Sequence, residues 1–458
     1  MAERNIAFEQ TIETLTEQKK YHSLRDILST MNPADIAAMF GELEERILPL
    51  LFRLLPKDMA AETFAELEPE LQELLIRGFS DSELKEVVDE LYVDDAVDLV
   101  EEMPANVVKR ILKQADAETR KLINDILKYP EDSAGSIMTT EYIELRPSMT
   151  VADAIKNIRR NGLESETINT CYISDEGKHL IGTISIRDLI LSEDDEILSD
   201  IMEENVISVT TMTDQEEAAA LISRYNFTVM PVVDQENRLV GIITVDDAMD
   251  VMEDEATEDI EIMGGVTPVD KPYLRTSVFQ FWRARIPWLL LLMIGATFTG
   301  LILSHFENAL ARVTALTLFI PMLMDTGGNS GSQCSVTVIR ALSLGDIEFK
   351  DILSVIWKEI RVAVLCGVSL AAVAFLKIML VDHLLMHNND VTVLVAATVC
   401  ATMALVVLVA KLIGCTLPMF ADKLGLDPAV MSSPFITTIV DALSLLIYFA
   451  IASYILAL

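Results

Sequence analysis

The sequence predicts a multidomain protein with an α-helical N-terminal domain, an α/β module built on an internal repeat, and an all-α membrane domain of five spans. Three observations support this: helical spacing of apolar residues before residue 131, a repeat thereafter, and long apolar stretches after residue 285. The 458-residue chain carries a formal net charge of −36. Residues 276–458 hold 10 Lys and Arg against 11 Asp and Glu, so −35 of that charge falls on residues 1–275. The chain therefore combines an acidic soluble half with a nearly neutral apolar half.

Residues 1–131 predict an acidic helical N-domain made of short helices. Apolar residues recur at spacings of three and four in segments such as ADIAAMFGEL and DAVDLVEEM. Pro33, Pro56, Pro69 and Pro104 interrupt this pattern. Because proline suits the first turn of a helix, we expect a new helix to begin at each of them, in a right-angled helical stack.

Two copies of one pattern follow, and their initial residues Met138 and Met202 lie 64 positions apart. Each copy is predicted to run strand, helix, strand, strand, helix, with G-x-I-[ST]-h-[RD]-D opening the last helix. The pattern resembles a tandem pair of CBS modules, so residues 132–252 are assigned to an α/β tandem CBS module. The resemblance implies an adenine nucleotide such as ATP, with Asp188 on the ribose and Arg187 on phosphate. A scaffold that binds no nucleotide explains the repeat equally well.

An acidic connecting helix and an amphipathic linker are predicted over residues 253–284. The acidic run begins earlier, and residues 246–259 hold eight carboxylates with no basic residue. Like charges at helical spacing repel by a few tenths of a kcal/mol per pair, and carboxylate oxygens suit Mg²⁺ or Ca²⁺. The metal-binding candidates in the run are Asp246, Asp247, Asp250, Glu255, Glu258 and Asp259. The alternative is a solvated charged face.

Residues 285–458 are predicted to form a transmembrane domain with five helices. The apolar stretches cover roughly 286–304, 309–343, 354–381, 391–419 and 429–457. Each exceeds the ~18 residues expected of a spanning helix. Basic residues, including Lys411 and Lys423, flank loops 344–353 and 420–428, whereas the opposite loops SHFENAL and DHLLMHNND have none. The positive-inside rule then puts the N-terminal domains in the cytoplasm and the C-terminus outside. With no secretory signal in MAERNIAFEQ, we expect the cytoplasmic membrane.

The second predicted span contains DTGGNSGSQ, residues 325–333. Pro321 and the glycines, including Gly328 and Gly331, are expected to open this helix or to let neighbours approach closely. Freed carbonyls and the amides of Asn329 and Gln333 would then line a cation path. Tight helix packing is the alternative explanation for the small residues.

The last predicted span contains Asp441 and has no Lys or Arg. A lone carboxylate in hydrocarbon costs at least ~2.5–3.5 kcal/mol, which a proton, a partner on another helix or a bound cation can relieve. Ser433 and Thr437 put hydroxyls on the preceding turns, and Pro434 is expected to kink them. A cation path past Asp441 explains these features together.

DTGGNSGSQ, LDPAVMSSP…TTIVD and the CBS modules behind a helical domain resemble the MgtE-type magnesium channels. The resemblance implies a homodimer with one pore, lined by the second and fifth spans, in which Asp441 holds hydrated Mg²⁺. It also implies that acidic cytoplasmic domains bind Mg²⁺ and close the pore. Further candidates for bridging Mg²⁺ are Asp94, Asp95, Asp98, Asp214, Glu216 and Asp427.

The sequence therefore predicts a magnesium-selective channel whose partners are Mg²⁺, a second copy of the chain and the lipid bilayer. Two alternatives stay open: an ion-coupled divalent cation carrier, and a membrane-tethered nucleotide sensor. An enzyme is not expected, because the chain has no Walker A loop, G-x-S-x-G or H-E-x-x-H motif and only five histidines. It also lacks the basic stripe of nucleic-acid-binding proteins.

Overall fold

The computed structural model describes residues 11–456 apart from residues 13, 164, 270–272, 275 and 432. The chain divides into two compact units, Met1–Glu253 and Asp254–Leu458. The first holds the N-terminal helices and the repeated α/β module, and the second holds the apolar helices.

Short helices around one apolar core form the start of the first unit. They are α1 (Tyr21–Leu28), α2 (Pro33–Glu42), α3 (Leu48–Phe52), α4 (Lys57–Ala65), α5 (Pro69–Gly78), α6 (Asp81–Val88), α7 (Val93–Glu102), α8 (Ala105–Gln114) and α9 (Ala117–Ile126). Pro33 and Pro69 are the first residues of α2 and α5, and Pro56 and Pro104 immediately precede α4 and α8. The expectation that a helix begins at each proline is confirmed.

Two three-stranded sheets follow, one for each copy of the repeat. The elements are β1 (Tyr142–Leu145), α10 (Val151–Asn161), β2 (Thr167–Ser174), β3 (Leu180–Ser185), α11 (Ile186–Leu191), α12 (Leu198–Ile201), β4 (Val209–Thr210), α13 (Gln215–Tyr225), β5 (Val229–Val233), β6 (Leu239–Thr244) and α14 (Val245–Met263). In each sheet the first strand pairs parallel with the second and the second antiparallel with the third. The identical topology confirms the repeat.

The repeated motif places matching side chains at equivalent points of the two copies. Ser185 donates its hydroxyl to Asp188 Oδ2 at 2.6 Å, and Thr244 donates to Asp247 Oδ2 at 2.6 Å. Each hydroxyl also accepts from the backbone N–H of its aspartate, which caps α11 or α14. Asp188 and Asp247 are thus structural equivalents.

The second unit contains the long apolar helices. They are α15 (Val278–His305), the short α16 (Glu307–Arg312), α17 (Ile320–Ser343), α18 (Ile352–Lys377), α19 (Val393–Lys423) and α20 (Ser433–Leu456). The segments long and apolar enough to cross a membrane are Val278–His305, Phe349–Leu385, Val393–Lys423 and Pro428–Leu456. Helix α17 has 24 residues but carries the polar motif and is not among these segments. Among the described residues, four spans are therefore supported by length and composition, and the fifth remains a prediction.

Helix α17 is continuous through its glycines, so of the two expected outcomes an opened helix is wrong and close approach of neighbouring helices is confirmed. Pro321 lies in the first turn, where its missing N–H removes no helical hydrogen bond. Gly331 instead permits a close helix crossing, since an added Cβ there would lie 3.2 Å from the Ala410 carbonyl oxygen of α19. Pro434 likewise lies in the first turn of α20 and does not kink its interior.

Lys411 also differs from its predicted position. It lies inside α19 with its side chain 8% exposed, 3.6 Å from Glu359 of α18. Lys411 is therefore an internal ion-pair partner, and Lys423, at the end of α19, is the loop-flanking charge.

Candidate functional site

A row of polar side chains runs along one exposed face of α17. Asp325, Asn329 and Gln333 are all exposed, and each is four residues from the next. Side chains at this spacing lie on one helical face. An exposed row of carboxylate and amide groups is costly against lipid, so this face is the strongest candidate in the apolar unit for contact with water or an ion.

Asp441 lies on the neighbouring helix α20, close enough to Asp325 for the two carboxylates to interact electrostatically. Its Oδ1 atom is buried and has no hydrogen-bond partner among the residues that the structure describes. A buried carboxylate oxygen without a partner costs free energy. The two carboxylates together favour a cation or a hydrated cation as the missing partner.

The hydroxyls predicted to line the path lie at the contact between α17 and α20. Ser433 donates to Ser332 Oγ at 2.9 Å, and Thr437 donates to the Ser433 carbonyl oxygen at 2.7 Å. Gly328 lies directly against Thr437, where an added Cβ would come within 2.9 Å of the Thr437 methyl carbon. Gly328 and Gly331 thus serve close packing within the chain. Ser332 was missed by the sequence reasoning, although it lies inside the quoted motif.

A second group of carboxylates lies in the acidic first unit. Asp94, Asp95 and Asp98 of α7 come together with Asp246 and Asp247 of the second CBS copy. Loss of solvent, followed by neighbouring carboxylates, raises the pKa of Asp94 to about 9 and those of Asp95 and Asp98 to about 7. The pKa of Asp247 is raised by the same burial. The structure thus brings together five residues predicted from two separate stretches of sequence.

Two glutamates of the first CBS copy belong to this cluster and were not predicted. Glu166 has a pKa raised to about 8 by burial and then by Asp95 and Asp247, and its Oε2 has no hydrogen-bond partner within the described chain. Glu141 Oε2 accepts from the Val93 N–H at 3.2 Å, at the start of α7. Neither residue lies in a run of acidic sequence, so only the fold reveals them.

A third acidic site lies within the second unit, between the end of α14 and the end of α17. Asp259 accepts a hydrogen bond from the Ser343 hydroxyl at 3.3 Å, at the end of α17. Its pKa is raised, first by burial and then by Asp427, while Ser343 and Arg340 act in the opposite direction. Asp427 lies in the loop before α20 and accepts from the Ala429 N–H at 2.7 Å. The structure therefore places Asp259 and Asp427 together, at the ends of the two helices that carry the polar row and Asp441.

The turn after α14 provides a further contact with α20. Gly265 has φ +70°, a conformation that residues with a side chain rarely adopt, and an added Cβ would lie 3.1 Å from Pro434 Cγ. Pro434 is in the first turn of α20. Glycine is required here both for the turn and for the close approach.

The remaining predicted residues lie at or on α11, α13 and α14. Asp214 caps α13 by accepting from the Glu216 N–H at 2.9 Å, and both side chains are exposed. Arg187 and Asp188 are exposed on α11. The other acidic residues of α14 that were singled out are Asp250, Glu255 and Glu258. Metal or nucleotide binding by these residues remains a prediction.

Comparison with known proteins decides the family. A family described as a divalent cation transporter, MgtE, matches residues 320–451, its intracellular N domain matches 31–132, and CBS domains match 134–193 and 198–254. The magnesium transporter MgtE of Thermus thermophilus is 37% identical over 438 residues, 95% of each chain. That of Bacillus subtilis is 35% identical over 439 residues, 96% of this chain and 95% of its own.

This chain belongs to the MgtE family. Two solved structures resemble part of the chain. The cytosolic domain of the Mg²⁺ channel MgtE in complex with ATP is 37% identical with a TM-score of 0.51, covering 53% of this chain and 99% of that one. The soluble part of a magnesium transporter is 31% identical with a TM-score of 0.52, covering 56% and 100%. Membership of this family, with the long apolar helices, makes the chain a multi-pass membrane protein.

Proposed function

We propose that this MgtE-family chain is a magnesium-selective channel that imports Mg²⁺ across the cytoplasmic membrane as a homodimer. The observation that carries the proposal is the convergence of Asp441, with its unpartnered oxygen, on Asp325 at the head of an exposed polar row. The relatives named magnesium transporters, which match 95% of the chain, support the choice of ion.

The chemistry of the row suits a hydrated magnesium ion. Mg²⁺ holds its waters tightly and is usually bound through one or two carboxylates and several retained waters. Asp441 and Asp325 supply negative charge, and the amides of Asn329 and Gln333 supply hydrogen-bonding groups for the water shell. Few direct ligands also keep binding weak enough for the ion to leave.

A second copy of the chain would complete the path. The polar row of α17 is exposed in the single chain, yet a row of this kind is not stable against acyl chains. A two-fold interface brings the same patch of both subunits together. The rows and the two Asp441 side chains would then face each other across one pore.

Closure by cytoplasmic Mg²⁺ follows from the acidic sites of the soluble half. Crowded carboxylates repel when ionised, and Mg²⁺ bridging Asp94, Asp95 and Asp247 would hold α7 against the second CBS copy. Mg²⁺ between Asp259 and Asp427 would hold α14 against the ends of α17 and α20. We propose that occupancy of these sites favours the closed pore. ATP, present in the structure of a related cytosolic domain, would bind this chain at Arg187 and Asp188.

The test is Mg²⁺ flux into liposomes that contain the full-length protein, reported by a trapped Mg²⁺ dye. Asp441→Asn should lower the flux at least ten-fold, whereas Asp390→Asn, an exposed carboxylate far along the sequence from either polar helix, should leave it unchanged. Equal flux in Asp441→Asn and the unsubstituted protein would refute the pore assignment. Flux that stops when a proton or sodium gradient is collapsed would instead show an ion-coupled carrier. If the unsubstituted protein carries no Mg²⁺ flux, the membrane-tethered nucleotide sensor is the alternative that remains.

A further inference from the structure

An apolar groove with one guanidinium runs along the first turns of α15. Its lining residues recur every three or four positions and so share one helical face, and the open space they border measures about 380 Å³. They are Val278, Phe281, Trp282, Arg285, Ile286 and Leu289. We call this surface the α15 groove.

The guanidinium of Arg285 is held over the groove by an aromatic ring. Its central carbon lies 4.8 Å from the centroid of the Phe281 ring, a cation–π contact that fixes the orientation of the side chain. Phe281 in turn packs against Tyr273, with their ring centroids 5.0 Å apart. Arg285 is exposed, and no carboxylate within the described chain pairs with it. Its hydrogen-bond donors are therefore available to an anion.

The position of the groove indicates what that anion is. Helix α15 is one of the membrane-crossing candidates, and the groove lies at its N-terminal end, which the distribution of loop charges puts at the cytoplasmic surface. From residue 273 to residue 306 the sequence has basic residues and no acidic one, in contrast to the acidic soluble half. Phe279 stacks on Trp282 at 5.3 Å, adding the aromatic side chains typical of the membrane–water interface.

We propose that the α15 groove binds an anionic phospholipid of the cytoplasmic leaflet. The Arg285 guanidinium donates to the headgroup phosphate, for which its planar fork is well suited. One acyl chain lies along Val278, Ile286 and Leu289. The site is selective for an anionic headgroup because a zwitterionic lipid brings a cation that competes with Arg285.

A bound lipid would also affect closure of the pore. This step rests on the proposed function. Thr267, which follows α14, contacts this part of α15, since its N–H donates to the Ala284 carbonyl oxygen at 3.0 Å. Two residues later the Val269 N–H donates to Glu261 Oε2 of α14 at 3.0 Å. A lipid that holds the start of α15 therefore holds the end of the connecting helix. Anionic lipid should shift the Mg²⁺ concentration that closes the pore.

Lipid binding can be measured without any transport assay. Trp282 lines the groove and is one of three tryptophans in the chain. In full-length protein carrying Trp288→Phe and Trp357→Phe, Trp282 is the sole indole fluorophore. Brominated phosphatidylglycerol should quench its fluorescence at about five-fold lower lipid fraction than brominated phosphatidylcholine. Arg285→Gln should abolish this preference, since one basic side chain at the surface contributes about that factor.

The matched control is Arg283→Gln, which removes the same charge from the same helix on a different face. It should keep the preference. Equal loss in Arg283→Gln and Arg285→Gln would overturn the proposal in favour of general surface attraction. Absence of quenching by either lipid would overturn it by showing that a second copy covers the groove. Relief of quenching by inorganic phosphate alone, without competing lipid, would show that free phosphate is the ligand. All these outcomes are independent of whether the protein conducts Mg²⁺.

Discussion

The Nζ atom of Lys411 lies 3.6 Å from Glu359 Oε2, joining α18 to α19 with side chains only 8% and 15% exposed. Removing one partner of a buried ion pair leaves an uncompensated charge, at a cost of about 3–5 kcal/mol, whereas replacing both with apolar residues is often neutral. Lys411→Met should therefore lower the thermal unfolding midpoint of the detergent-solubilised protein. Lys411→Met/Glu359→Met should recover most of the loss. A double variant as unstable as the single one would contradict a compensating pair.

The crossing of α17 and α19 provides a second prediction. A Cβ at Gly414 would collide with the carbonyl oxygen of Gly331, a backbone atom that cannot move aside without shifting the helix. Gly414→Ala should therefore lower the unfolding midpoint. Gly300→Ala is the control, because nothing lies within 4 Å of that position on α15. It should raise stability by up to about 1 kcal/mol, through helix propensity alone. Equal effects of the two substitutions would show that the crossing is looser than described.

The acidic cluster around α7 predicts a dependence on pH. A carboxyl with a raised pKa keeps its proton in the folded state where the unfolded chain has lost it, so stability falls as the pH rises through that pKa. With the ordinary pKa of aspartate at 3.8, that of Asp95 at about 7 and that of Asp94 at about 9, the contact should weaken progressively as the pH rises from about 4 to about 9 when Mg²⁺ is absent. Amide exchange of residues 93–102, corrected for the intrinsic rate, should rise by up to about ten-fold per pH unit for each proton lost.

Magnesium should suppress that rise, because a bound cation replaces the lost protons. Residues 33–42 of α2, whose carboxylates are outside the cluster, serve as the internal control and should exchange at the same corrected rate throughout. Exchange in residues 93–102 that ignores both pH and Mg²⁺ would argue against a cation site at α7.

The Asp259–Asp427 site predicts how closure is transmitted, if the proposed function holds. Asp259→Asn and Asp427→Asn should each raise the Mg²⁺ concentration that half-inhibits flux by about five-fold or more, the usual scale of a coupling between sites. Flux at low cytoplasmic Mg²⁺ should persist in both. Asp422→Asn, at the exposed end of α19, removes a carboxylate from the same loop region and should leave inhibition unchanged. Identical inhibition curves for all three variants would remove this site from the closing mechanism.

Much of the fold could be predicted because its signals are local. The positions of the prolines predicted where α2, α4, α5 and α8 begin, and the repeat predicted two sheets of the same topology. Whether α17 is an opened or a continuous helix could not be predicted in this way. Glycine permits both an open backbone and a close helix contact, and only the position of α19 against Gly331 decides between them.

The residues of the candidate site also fall into two groups, those that the sequence predicts and those that only the fold reveals. Asp441 could be predicted from sequence because a carboxylate in a span without Lys or Arg is conspicuous. Glu166 and Ser332 could not, since each acquires its importance from a partner distant in the chain. Ser332 and Ser433 are 101 residues apart, and no periodic pattern connects them.

The glycine turn at Gly265 has a consequence for insertions and deletions. Because this turn abuts Pro434, the end of α14 has a fixed rotational phase relative to the loop that holds Asp427. One residue added between Asp259 and Gly265 would rotate Asp259 by roughly 100° and move it about 1.5 Å along the axis. The length of this short stretch is therefore constrained more tightly than its composition, and a four-residue insertion should be better tolerated than a two-residue one.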